Sequence, residues 1–110
     1  MNRIDEVLTE VMNSRYDENN ITQSKWRKPK LYCGYLILDS QRNPHGNYSV
    51  RVDAIEDSAR IYVVGDGLPA AHKVPCIRVA IDSKLINDAI SQIIENIESE
   101  LIKLKSQATT

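Results

Sequence analysis

Two strand-like segments joined by a pair of acidic residues leave the middle of this chain little conformational freedom. Residues 48–55 alternate between apolar and polar side chains, which is the pattern of a strand with one buried face. If residues 56 and 57 form a two-residue turn, apolar side chains face apolar ones and an acid faces a base. Each such pair stabilises a sheet by roughly 0.2–1 kcal/mol, and a shift of one residue separates them all. The predicted partners are Ile55 with Ser58, Asp53 with Arg60, Val52 with Ile61 and Arg51 with Tyr62.

Two further strands are predicted on either side of this hairpin. The Leu31–Asp39 segment has apolar residues at both odd and even positions, which point to opposite faces of a strand. This pattern predicts a central strand covered on both faces by the chain itself or by a second subunit. Residues 76–81 form the last predicted strand, and residues 43–47 are rich in turn formers. Because the connections are short, consecutive strands are expected to be neighbours. The prediction is a four-stranded antiparallel meander made of residues 31–39, 48–55, 59–64 and 76–81.

Helices are predicted at both ends of the sheet. Near the N-terminus, one helical face is formed by Ile4, Val7, Leu8, Val11 and Met12. At the other end, Asp82 or Ser83 can cap a helix that has no Gly or Pro and is about 34 Å long. The fold class is therefore α+β, with the order α-β-β-β-β-α in one domain and both helices on one face. Its predicted parts are a helix (3–14), a connector (15–30), an antiparallel sheet (31–81), a long helix (83–105) and a tail (106–110).

The long helix carries a repeat that is typical of helix pairing, in which apolar residues alternate at spacings of four and three. The predicted oligomer interface consists of these residues: Ile90, Ile94, Ile97, Leu101 and Leu104. A helix of this length is expected to extend about two turns beyond the strands, and residues 99–104 would then expose an apolar patch that monomers rarely leave uncovered. We therefore expect a homodimer or a higher homo-oligomer. The alternative is that the whole apolar surface covers the chain's own sheet.

The polar face of the predicted sheet is a candidate ligand site. With the valines and isoleucines turned towards the helices, arginine and tyrosine side chains share the opposite face with Lys30 and Tyr32, and Asp53 is expected to neutralise Arg60. A basic segment with one tryptophan precedes the first strand. Arginines beside aromatic rings can hold phosphates and stack on bases. The candidate ligand-binding residues are Arg51, Arg60, Tyr62 and Arg78 on the sheet, and Trp26, Arg27 and Lys28 before it.

The class of ligand stays open at this stage. An anionic small molecule, a nucleic acid or an acidic protein surface would each suit such a face. A solvated outer face of the sheet and a dimer surface are the alternatives without a ligand. The chain has 14 basic and 15 acidic residues, and its net charge of −1 argues against a general binder of nucleic acid or membrane surfaces.

Catalytic residues, metals and cofactors are not expected. His45 and His72 fall in predicted loops without a nucleophile motif, where we expect solvated side chains. Cys33 and Cys76 fall in strand-like segments and are predicted to be small buried apolar residues. The Gly65–Ala70 segment matches a dinucleotide-binding pattern, but that pattern requires a helix directly after it. We expect an exposed loop there instead.

We therefore expect a non-enzymatic, homo-oligomeric binding or regulatory module that acts as a phage or bacterial accessory protein. No apolar run of the kind found in export signals follows Met1, so a cytoplasmic location without membrane contact is expected. The main alternative is a nucleic-acid-binding protein that uses the basic sheet face and the Trp26–Lys30 segment. An enzyme acting on a nucleotide or phosphate ester through His45 or His72 is the less favoured alternative.

Overall fold

An antiparallel sheet with both helices on one of its faces forms the structure. The computed structural model describes residues 3–15, 25–65 and 68–108. Its elements in chain order are α1 (Arg3–Arg15), β1 (Lys30–Tyr32), β2 (Tyr35–Asp39), β3 (Ser49–Ile55), β4 (Ser58–Val64), a 3₁₀ helix (Pro69–Lys73), β5 (Ile77–Ala80) and α2 (Ser83–Ala108). The strands lie side by side in sequence order from β1 to β5. The α+β class and the antiparallel sheet are confirmed, but the sheet has five strands instead of the predicted four.

β3 and β4 pair as the sequence predicts, and all four predicted pairs are present. Val52 and Ile61 face each other and are fully buried, so a slip of one residue would turn one of the two strands over and move its buried side chain into solvent. At the turn, Glu56 has a φ of 55°. This left-handed conformation costs a residue with a side chain roughly 1–2 kcal/mol. The hairpin is therefore held by its buried face and its cross-strand pairs against an unfavourable turn.

The predicted first strand is wrong in its extent. Cys33 and Gly34 make a two-residue turn inside the Leu31–Asp39 segment, which therefore forms β1 and β2 instead of one central strand. Gly34 has a φ of 66°, which glycine adopts without a steric penalty. Its backbone N–H donates a hydrogen bond to the Asp5 carboxylate on α1, which holds the turn in place. β1 is consequently an edge strand, and β2 buries only alternate side chains.

The core lies between the sheet and the two helices. On α1 the buried side chains are among those that the periodicity predicts, with Met12 partly buried: Ile4, Val7, Leu8 and Val11. At the end of α1, the Arg15 guanidinium donates hydrogen bonds to the side chain and the carbonyl of Asn87 and to the Ser91 hydroxyl. Because Asn87 and Ser91 belong to α2, this group of bonds fastens the two helices to each other.

α2 begins where the sequence predicts and buries a broad face. The Asp82 carboxylate accepts a hydrogen bond from the backbone N–H of Leu85 and so caps the helix. The helix continues to Ala108, so residues 106–108 of the predicted tail are helical. The sheet, α1 and the 3₁₀ helix all contact α2. The fully buried isoleucines of α2 are Ile86, Ile90, Ile93 and Ile97.

Most of the predicted oligomer interface lies inside the chain itself. Ile90, Ile97 and Leu101 are buried in the core, whereas Ile94 and Leu104 are partly buried. The predicted apolar patch at residues 99–104 is also reduced, since Ile102 is the one large apolar side chain exposed there. Three of the five predicted residues are therefore already covered, because α1 and the 3₁₀ helix contact α2 as well as the sheet does. Self-association through the remaining residues stays a prediction.

The cysteine predictions are wrong, because both thiols lie where strands end. Cys33 occupies the β1–β2 turn and Cys76 precedes β5, and both side chains are exposed. In the predicted connector, residues 16–24 lie outside the described residues, and Trp26 forms an isolated bridge with Ser40. Within the described ranges, no helix combines the length and the apolar character needed to cross a bilayer.

Replacing Ile93 by Ala is expected to lower the free energy of unfolding by about 2–5 kcal/mol, because it leaves a cavity in the core. Ile102 on the same helix is 52% exposed. We expect Ile102→Ala to change the free energy by less than about 0.5 kcal/mol. Since helix propensity changes equally in both variants, the difference between them reflects burial. Urea unfolding followed by circular dichroism measures both, and equal losses would contradict the placement of α2.

Replacing Glu56 by Gly is expected to raise the free energy of unfolding by about 0.5–1.5 kcal/mol, because glycine removes the steric cost of the left-handed conformation. Asp57, the second turn residue, is not among the non-glycine residues with positive φ in the described chain. Asp57→Gly is therefore the matched control, and it should destabilise by increasing the entropy of the unfolded chain. Thermal unfolding compares the two variants, and a loss of stability at Glu56 would refute the turn geometry.

Candidate anion-binding face of the sheet

One face of the sheet has neither helix packed on it, since α1 and α2 both cover the other face. The strand register places the side chains of the uncovered face opposite one another from β1 to β5. We call this surface the open face, and its residues are Lys30, Tyr32, Tyr35, Ile37, Asp39, Ser49, Arg51, Asp53, Ile55, Ser58, Arg60, Tyr62, Val64, Arg78 and Ala80. The structure therefore brings together all the sheet residues that we predicted as ligand contacts.

Arg60 is held in place by its neighbours on the open face. Its guanidinium donates hydrogen bonds to the Asp53 carboxylate, from Nε at 3.0 Å and from Nη2 at 2.7 Å. The same guanidinium lies 4.8 Å from the centre of the Tyr62 ring, a favourable cation–π arrangement. The hydrogen bond and the charge of Asp53 raise the pKa of Arg60. Asp53 and Tyr62 therefore hold the Arg60 side chain in place on the open face, and Asp53 already balances its charge.

Arg51 and Arg78 carry charges that no acidic side chain balances within the described chain. Arg51 donates a hydrogen bond to the Ser49 hydroxyl at 3.3 Å. Arg78 is exposed and lies opposite Arg60 across the ladder. Neither guanidinium forms an ion pair with another described residue. Because a guanidinium stays charged at ordinary pH and presents several donors to an oxyanion, both side chains are suited to bind an anion.

A shallow groove joins the open face to the segment before β1. It has a volume of about 270 Å³, and its lining includes Arg27, Arg51 and Asp39. The backbone N–H of Arg27 donates a hydrogen bond to the Asp39 carbonyl at 2.9 Å, which holds this segment beside the end of β2. The Asp39 carboxylate lies 3.9 Å from the Lys30 ammonium. Arg27 therefore joins Arg51 at one corner of the open face.

Tyr35 belongs to the open face, although the sequence analysis does not single it out. In one continuous strand, Tyr32 and Tyr35 would point to opposite faces, whereas the turn at Cys33 and Gly34 places them opposite each other on one face. Their ring centres are 6.3 Å apart, and Tyr32 is 56% exposed. The interaction of the Tyr62 hydroxyl with Tyr35 helps to raise the pKa of Tyr62. The glycine at position 34 is the turn signal that would have predicted this arrangement.

Trp26 and Lys28, both predicted as ligand contacts, do not join the open face. The Trp26 ring packs edge-on against Tyr48, with ring centres 5.7 Å apart. Tyr48 is buried, and its hydroxyl donates a hydrogen bond to the Glu98 carboxylate on α2 at 2.7 Å. Burial, and then this bond, raises the pKa of Tyr48. Trp26 thus lies on the helix side of the sheet, while Lys28 is exposed without a described contact to the open face.

The histidines do not form a catalytic arrangement with the described residues. His45 is partly buried instead of solvated, and its Nδ1 has no hydrogen-bond partner among them. His72 is exposed on the 3₁₀ helix. No three His, Cys, Asp or Glu side chains of the described ranges converge as metal ligands would. After Gly65, a 3₁₀ helix of five residues takes the place of the long helix that dinucleotide binding requires, and residues 66 and 67 lie outside the described residues.

No protein-family model, curated protein or solved structure matches this chain at a significant level. Its function is therefore inferred from its own residues. The open face, which neither α1 nor α2 covers, gathers charged and aromatic side chains and is the candidate functional site.

The packing of Tyr62 can be tested through its pKa. Partial burial, and then the hydrogen bond to Tyr35, raises this pKa from 10.0 to about 12. The unfolded chain therefore loses the Tyr62 proton first, and the free energy of unfolding falls as the pH rises from about 10 towards about 12. Tyr62→Phe has no such proton, so we expect a smaller fall in urea-unfolding free energy over this range. An equal fall in both proteins would show that Tyr62 is not packed as described.

Proposed function

We propose that this protein is a non-catalytic binding module that captures an anionic ligand on the open face. The observation that carries this proposal is the pair Arg51 and Arg78, two guanidiniums without an acidic partner in the described chain on the sheet face that neither α1 nor α2 covers. An oxyanion bound there would accept charge-assisted hydrogen bonds from these side chains, which are stronger than bonds between neutral groups.

The distribution of charge supports the same proposal. The open face has four cationic side chains (Lys30, Arg51, Arg60 and Arg78) and two acidic ones (Asp39 and Asp53), although the whole chain has a net charge of −1. The rest of the chain is therefore acidic on balance. A net charge near zero argues against a protein that binds polyanions over its whole surface, but it is compatible with one basic face that also orients the approaching ligand.

Binding is favoured over catalysis because of the chemistry of the open face. Guanidiniums neither accept nor release protons near neutral pH, so Arg51 and Arg78 are suited to hold charge and unsuited to general acid–base work. Neither His45 nor His72 is hydrogen-bonded through its side chain to a described Ser, Cys or carboxylate. The phosphoester enzyme considered from the sequence therefore has no supporting observation among the described residues.

Charge reversal on the open face tests the proposal, with heparin as a general polyanionic probe. We expect the double variant Arg51→Glu, Arg78→Glu to elute from a heparin column at much lower salt than the wild type. The reason is that two guanidiniums without acidic partners in the described chain are replaced by carboxylates, which repel the polyanion. The matched control is Lys84→Glu, Lys103→Glu, which changes the net charge equally but lies on α2, on the other side of the molecule.

The control variant is expected to keep most of the heparin retention. If both double variants lose retention equally, binding follows the net charge of the chain and the open face is not the site. If the wild type passes through the column at low salt, the face does not capture polyanions and the proposal fails.

A further inference from the structure

We infer that the ligand of the open face is a single-stranded nucleic acid that crosses the strands diagonally, with phosphates on Arg27, Arg51 and Arg78. Its bases would lie against Tyr32 and Tyr35. This inference rests on the proposed function and names its ligand class. The main observation behind it is the placement of the three arginines by the strand register and by the groove that Arg27 shares with Arg51.

The three arginines lie on one diagonal of the sheet. Arg51 is on β3, and Arg78 is two strands away and two residues further along the ladder, because Arg51 faces Tyr62 and Arg60 faces Arg78. Strand spacing and rise then put their Cα atoms roughly 12 Å apart. On the other side of Arg51, Arg27 lies beside Asp39, which is the partner of Ser49 on β3. Arg27 is therefore displaced from Arg51 in the direction opposite to Arg78.

This spacing favours a polymer over a small anion. The Arg60–Tyr62 stack occupies the ladder positions between Arg51 and Arg78. A small anion could contact both guanidiniums only if the two side chains converged over this stack, while a chain with repeated negative charges can contact each of them separately. A nucleic acid backbone has such repeated charges, and their neutralisation by arginines releases counterions and makes binding salt-dependent.

The tyrosines favour a nucleic acid over other polyanions and over an acidic protein surface. Tyr32 is 56% exposed, and its ring lies beside that of Tyr35 at the β1–β2 end of the open face, to one side of the diagonal and level with Asp53. Aromatic rings on a flat, basic sheet surface stack on bases of any sequence. Carboxylates and sulfated sugars have no aromatic base that could stack on these rings. The combination of guanidiniums without acidic partners and an exposed tyrosine ring beside a partly buried one is thus explained best by a ligand with both phosphates and bases.

The placement of α1 and α2 away from the open face favours a single strand over a duplex. Proteins that read duplex grooves insert a helix or a protruding β-ribbon. Here α1 and α2 both pack on the opposite side of the sheet, and the side chains of the open face come from five neighbouring strands. Unpaired bases can leave their stack and lie on such a surface, as they do on the sheets of single-strand-binding domains.

Fluorescence anisotropy tests the inference, with labelled oligothymidylate and oligouridylate of about 20 nucleotides as probes. We expect at least one of them to bind more tightly than a duplex of the same length. Arg78→Glu is expected to weaken this binding and to reduce its salt dependence by about one released counterion. Lys84→Glu, the same change of charge on α2, is expected to leave both quantities close to those of the wild type.

A second pair of variants separates stacking from charge. Tyr32→Ala is expected to weaken binding of the oligonucleotide about tenfold without changing its salt dependence, because a stacking surface is lost while the charges remain. Tyr32→Phe keeps the ring and should restore most of the affinity. Because Tyr32 is an exposed residue of an edge strand, both variants are expected to fold, and circular dichroism confirms this in each sample.

Each outcome decides for or against the inference. If the heparin column retains the protein but neither oligonucleotide binds to it, the ligand is another polyanion. The proposed function then stands and this inference fails. If neither heparin nor oligonucleotide binds, both fail. If the duplex binds as tightly as the single strands and Tyr32→Ala has no effect, the face recognises charge alone and the inference also fails. Binding of oligouridylate but not of oligothymidylate supports the inference and identifies the ligand as RNA.

Discussion

The pairing of β3 with β4 sets the rest of the structure, because successive side chains of a strand point to opposite faces. With Val52 opposite Ile61 in the core, Arg51 and Arg60 must lie on the other face. The register therefore builds the core and the open face at the same time. A shift of one residue would exchange the two sets and would place guanidiniums under the helices, where their desolvation would be prohibitive.

Whether the apolar surface of α2 is buried within the chain or available to a partner depends on the elements that pack beside it. Its isoleucines cover more than one narrow stripe, a pattern that fits a helix pairing with another chain as well as one lying in a core. In the fold, α1 is fastened to α2 through Arg15, and the 3₁₀ helix also contacts it. These contacts bury residues that would otherwise be available to a partner, and so most of the broad apolar surface is covered by the chain itself, while self-association through Ile94 and Leu104 stays a prediction.

On the open face, the cationic side chains have different roles. Asp53 holds Arg60 with two hydrogen bonds, and Arg60 in turn covers the Tyr62 ring. This group rigidifies the centre of the face and separates Arg51 from Arg78, which are left without acidic partners among the described residues. A rigid centre with free charges on either side suits an extended ligand, because little side-chain order is lost at the centre when the ligand binds.

The sequence by itself determined the elements whose signal is local and periodic. The β3–β4 register, the buried face of α1, the start of α2 at Asp82 and the grouping of Arg51, Arg60, Tyr62 and Arg78 all follow from spacing along the chain. Tertiary structure decided the β1–β2 turn, which Asp5 on α1 holds through Gly34 and which brings Tyr32 and Tyr35 onto one face. Tertiary contacts also pack Trp26 against Tyr48 and bury three of the five residues of the predicted oligomer interface on α2. Gly34 is a local signal for the turn, but its attachment to α1 and the other features depend on contacts between distant segments, which the local pattern of a sequence does not contain.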